Sequence, residues 1–216
     1  MEKGNQRLAY MVFTGAMIAC CIGLYLAQSH WNAAAVSDPV EPSPTPLTPS
    51  YPSEDVFWEN AAAFGLKAQA ESMEASLPGA TEYRLAREGL EDARLTLSFR
   101  EGGVCAFLLR LPLPEDPGEA PRDATPIEND IYQERLLYLR TEEVWREAAV
   151  KSLCAALDSS ASCTAADFSR FYALLQETTQ KNTNKDEKAG NLSFSSYILY
   201  QTGKNFLIVA ASRLDV

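Results

Sequence analysis

Histidine is almost missing from this 216-residue chain; the single one is His30. A Ser–His–acid triad, a Cys–His pair or a multi-histidine zinc site needs imidazoles as base or ligands, so none fits the sequence beyond it. His30 itself has no neighbour at ligand spacing and reads as a solvated residue. HExxH, P-loop, GxGxxG, GxSxG, CxxC and SxxK patterns are absent as well. No residue set points to a cofactor or a metal. Glu115, Asp116, Glu119 and Asp123 crowd one proline-rich loop, but a calcium site wants a regular ladder of acids with a closing Glu, which is not there. An enzyme is therefore not indicated. A carboxylate-based hydrolase stays as an alternative, because its acids are paired in space and not by spacing along the chain.

Basic charge is also scarce. Lys and Arg total 19 against 29 Asp and Glu, for a net charge of −10. Setting aside Glu2, Lys3 and Arg7 leaves 17 bases against 28 acids beyond Gln28, or −11. Such a balance argues against nucleic acid and against docking on anionic lipid. Cysteine is sparse too. Cys20 and Cys21 lie in an apolar run, and Cys105 sits in an apolar segment (VCAFLLRL) that suggests a buried thiol and not a nucleophile. Cys154 and Cys163 flank AALDSSAS between two helical patterns. A disulfide there would clip a helix hairpin in an oxidising compartment; two separate thiols are the alternative.

Long apolar runs are limited to one, residues 8–27 (LAYMVFTGAMIACCIGLYLA), without a charge, proline or amide side chain. As a helix it would be about 30 Å long, the thickness of a bilayer's hydrocarbon core. Lys3 and Arg7 precede it and the next base is Lys67, so the positive-inside bias puts residues 1–7 in the cytoplasm and the remainder outside. The length favours an uncleaved signal anchor in a single-pass cell-membrane protein. Cleavage near Ala33–Ala35 and lipidation at Cys20, after Met17-Ile18-Ala19, are the competing readings. Gly15, Ala19, Gly23 and Ala27 recur every four residues and form a stripe of small side chains. Stripes of this kind support helix association in lipid, here self-association or pairing with a membrane partner; chance alignment is the plainer alternative.

Residues 28–53 form a tether. Pro39, Pro42, Pro44, Pro46, Pro49 and Pro52 favour an extended, stiff spacer. The short basic tail and this spacer suggest a bacterial cell.

The remainder, 54–216, is long enough to bury one core. Ser53, with Glu54 and Asp55 after it, caps a helix expected over 53–77, with Phe57, Ala61, Phe64 and Ala68 inward. A short strand follows around Tyr83 and Leu85. Leu95, Leu97 and Phe99 alternate in the next strand, Glu101-Gly102-Gly103 turns the chain, and Val104–Leu111 returns. Residues 112–127 read as a loop with five prolines. Residues 128–140 fit strand or helix equally. Thr141, with Glu142 and Glu143, marks a helix start, and Thr164 another, with Phe168, Phe171, Tyr172 and Leu175 inward. Residues 180–190 read as a polar loop before a hairpin, 192–201 and 206–213. The expected architecture is α+β: an antiparallel sheet of four to six strands with about three helices mainly on one face. The expected function is a membrane-anchored extracytoplasmic binding or interaction module with a protein partner. A ligand sensor signalling through a membrane partner is the alternative.

Overall fold

Strict alternation along residues 93–100 makes one strand face apolar, and that face sets the architecture. The structure, a computed structural model, describes residues 51–74, 78–120 and 122–214. The apolar run 8–27 with its stripe, Cys20, His30 and the tether up to residue 50 lie outside the described residues. Among the described residues no helix is long and apolar enough to cross a membrane. They belong to one compact unit, Leu47–Val216.

The described elements are α1 (Glu54–Ala63), β1 (Gln69–Met73), β2 (Ala80–Ala86), β3 (Ala93–Arg100), β4 (Gly103–Pro112), α2 (Pro126–Leu157), α3 (Ala165–Lys181), β5 (Lys185–Ala189), β6 (Leu192–Gln201) and β7 (Lys204–Arg213). All strands pair antiparallel in one seven-stranded sheet of order β1-β2-β3-β4-β7-β6-β5. The fold is α+β. Two meanders meet at β4 and β7, and the α2–α3 pair links them in sequence.

Register explains the core. Tyr83, Leu95, Leu109 and Val209 follow one another across β2, β3, β4 and β7. Leu97, Phe107, Ala211 and Phe194 form the next row across β3, β4, β7 and β6. All eight are buried on one face, where they join Phe57 and Ala61 of α1, Val150 and Leu153 of α2, and Phe171 and Leu175 of α3. Phe171 stacks on Phe194 with ring centroids 4.9 Å apart. Hydrophobic burial on that face holds helices to sheet. The opposite face carries Arg84, Arg94, Thr96, Ser98 and Arg110, the pattern of a sheet solvated on one side.

Seven strands exceed the four to six expected, and both additions are edges. β1 (QAESM) lies inside the segment read as one helix over 53–77; α1 stops at Ala63, and Gly65 takes φ +101° to turn the chain. Alanine and glutamate favour a helix locally, but pairing with β2 overrides that preference. Phe64, expected inward, is consequently exposed, and Ala68 lies beyond the helix. β5 (KDEKA), read as loop, pairs with β6 through its backbone. Charged, short edges resist further pairing with other chains. The final hairpin turns tighter than expected, since Lys204 and Asn205 already pair with Gln201 and Tyr200.

Residues 128–140 are helical. α2 is one helix of 32 residues, so Thr141 is no helix start; its Oγ1 donates to Leu137 O within the helix. The helix begins at Thr125, which accepts from Glu128 N while the Glu128 side chain accepts from Thr125 N. Its first half stands off the core and leaves Ile127, Ile131 and Leu137 exposed, as is Val144 just past the midpoint. Thr164 caps α3 through the same reciprocal arrangement with Asp167, as its position before the apolar pattern predicts.

Candidate functional site

The site is built where four elements end or turn. Arg87, at the end of β2, is wholly buried, and its Nη1 donates to Glu142 Oε2 at 2.8 Å. Its Nε donates to Glu91 O at 2.7 Å, and its guanidinium carbon lies 4.5 Å from the centre of the Trp145 ring. Trp145 is fixed in turn by donating to Lys67 O. One carboxylate, one carbonyl and one aromatic face thus neutralise and orient Arg87.

One turn along α2 stands Arg146. Its side chain is 11% exposed, and its Nη2 lies 3.7 Å from Glu142 Oε1, beyond hydrogen-bond reach. Arg146 Nε and Glu142 Oε1 are both buried without a hydrogen-bond partner. Two guanidiniums therefore share one carboxylate, and the second is poorly matched.

Arg146 lines an open cleft of about 1060 Å³. Its walls are the loop 113–117, the β6–β7 turn with Gln201, Lys204 and Asn205, α2 with Glu143, and α3 with Tyr172, Gln176 and Gln180. Leu113 N donates to Asn205 O at 2.9 Å, which extends the β4–β7 pairing into the loop and fixes that wall. Lys204 pairs with Glu91 at the rim. Gln176 Nε2 donates to Glu143 Oε1 at 3.1 Å, and the Tyr172 hydroxyl donates to Glu143 O. Burial, reinforced by the charge of Glu143, pushes the Tyr172 hydroxyl up to about 12, so it stays protonated and able to donate.

The residues singled out from sequence fall elsewhere. Glu142 and Glu143, read as acids at a helix start, sit mid-helix: Glu142 is buried against Arg87, and Glu143 faces the cleft. Cys105 is half-buried and not buried; its Sγ donates to Ser98 O. Cys154 is wholly buried in the last turns of α2, where burial pushes its thiol up. Cys163 is half-buried; its Sγ donates to Ala189 O at 3.1 Å, and burial and then the Asp158 charge push it up to about 11. Neither Cys154 nor Cys163 lines the cleft.

The carboxylates that hydrogen bonds and ion pairs hold below the ordinary range have structural work. Glu128 and Asp167 accept from Thr125 and Thr164 at the two helix caps. Glu177 accepts from Lys185 and Lys181. Burial would raise Asp158, but donors from the Cys163 and Ser162 backbone and the Ser162 and Ser160 hydroxyls outweigh it. None of these four lines the cleft. Among the described residues no cluster of three His, Cys, Asp or Glu is placed to hold a metal ion. Compared with known proteins, the chain matches no protein-family model, no curated protein and no solved structure.

Proposed function

We propose that the chain is a membrane-anchored binding module of the cell envelope. Residues 1–7 stay in the cytoplasm, 8–27 cross the membrane, 28–53 act as a stiff spacer, and 54–216 hold a ligand or partner outside. The anchor and tether are supported by the apolar run, the flanking charges and the proline spacing. The binding role is carried by one observation: the cleft over Arg146, a buried cation whose protein partner is incomplete. Clefts of roughly 300–1,000 Å³ suit drug-sized ligands, and this open one, at about 1060 Å³, lies just above that range.

The test is crosslinking in the native membrane, purification of the full-length protein and mass spectrometry of what accompanies it. A reproducible partner, lost when 54–216 is deleted, is the expected result. Recovery of the protein alone, or crosslinked only to itself, would overturn the reading. The ligand-sized cleft also favours a sensing role. Its signal would pass to a membrane partner along the Gly15, Ala19, Gly23, Ala27 stripe.

A further inference from the structure

Charge bookkeeping around Arg146 narrows the ligand. Arg87 and Arg146 bring two positive charges and Glu142 one negative, which leaves a single positive charge largely buried. Arg87 is fully used by Glu142, Glu91 and Trp145, so the surplus belongs to Arg146. Arg146 Nε is buried without a partner, while the side chain keeps 11% exposure where it lines the cleft, so a ligand anion would pair with that exposed edge. The anion is a monoanion: Lys204 is paired with Glu91, and Glu115, Asp116 and Glu143 line the same cleft and would repel a doubly charged phosphate. Planar guanidinium forks match planar carboxylates.

The walls define the rest of the ligand. Gln176, Gln180, Gln201 and Asn205 offer both donors and acceptors, the complement of peptide amides. Glu115 and Asp116 on the loop suit an ammonium group. We propose that the cleft takes the C-terminal end of a short peptide, with its free carboxylate seated on Arg146. This rests on the binding-module reading and names the chemistry of the ligand.

The experiment uses the full-length protein in detergent micelles. It compares retention of a randomised synthetic tetrapeptide pool ending in free carboxylates with the same pool amidated at the C-terminus, read by mass spectrometry. Amidation is expected to lower retention at least about tenfold, the effect of losing one charge-assisted hydrogen-bond pair. Arg146→Gln is expected to remove the preference for the carboxylate pool while the thermal melt stays close to that of the parent. Equal retention of both pools, or of neither, overturns the proposal; so does a variant that keeps the preference. Should Arg146→Gln fail to fold, the amidation comparison on unaltered protein decides alone. A partner still crosslinked in the membrane after a negative result would leave the module reading standing and discard only the peptide carboxylate.

Discussion

Replacing Glu142 with Gln tests the electrostatic frame beneath the cleft. Arg87 and Glu142 are 0% and 1% exposed, so no solvent reaches the charge left behind. Removing one member of such a pair typically costs about 3–5 kcal/mol, because the other charge stays buried and unmatched. Gln keeps the volume and one acceptor oxygen, and Arg87 retains Glu91 O and the Trp145 ring, so the low end applies: about 3 kcal/mol. For a domain of this size that corresponds to a fall in melting temperature of roughly 6–12 °C. Urea unfolding followed by tryptophan fluorescence measures it, with Trp145 close to the perturbed guanidinium. The partner experiment is Arg87→Met with Glu142→Met. Measured beside the two single Met variants, deleting both charges is expected to recover part of the loss, the remainder being the ion pair that Arg146 makes with Glu142. A Glu142→Gln variant within about 1 kcal/mol of the parent, or a double variant that equals the sum of the singles, would refute the reasoning.

Gly103→Ala is expected to cost about 1–3 kcal/mol in the same urea titration, because the new methyl would stand 2.5 Å from Tyr51 Cβ and 2.7 Å from Tyr51 O. Asp158 has a lowered folded pKa, so its contribution is present above its unfolded value of about 3.9 and is lost as pH falls through the lower folded one. Asp158→Asn is therefore expected to be less stable than the parent at neutral pH, with a shallower loss on acidification; parallel acid titrations would refute this. Cys154 and Cys163 are free thiols in the structure; on the extracytoplasmic reading they are expected to oxidise to a bridge in protein taken from native membranes, with loss of the Cys163–Ala189 hydrogen bond, and peptide mapping without reductant should find the linked pair. Alkylation of both sulfurs in denaturant without reductant would refute the bridge.

The strands most legible in the sequence are those whose one face is buried. Leu95 and Leu97 alternate because β3 lies between β2 and β4 with one side on the helices, and both are buried as their spacing predicts. Phe99 keeps the alternation but is only partly buried, because the β3–β4 register shifts between Ser98 and Phe99. Edge strands leave no such trace. β1 and β5 are held by backbone pairing, contribute little to the core, and are written in residues that elsewhere make helices or loops. The first half of α2 was ambiguous for a related reason: Ile127, Ile131 and Leu137 pack on no core, so no buried stripe marks a helix there. Its signal was the cap, Thr125 with Glu128 three residues on, hidden in a proline-rich stretch that reads as loop.

The candidate site was illegible for a stronger reason. Arg87 and Glu142 are separated by 55 positions, and nothing local marks either as buried. Glu142 and Arg146 are four residues apart on a helix, a spacing that most often means a solvated surface pair worth a few tenths of a kcal/mol. Only the fold turns that pair inward, where solvation is lost and the same charges become decisive. Once inside, the two arginines differ in kind. Arg87 has every partner it needs and braces β2 against α2; Arg146 has one distant oxygen and an idle Nε. A brace is recognised by complete pairing. An incompletely paired cation facing a cleft costs the fold that holds it, and on the proposed reading an anion from outside the chain completes it.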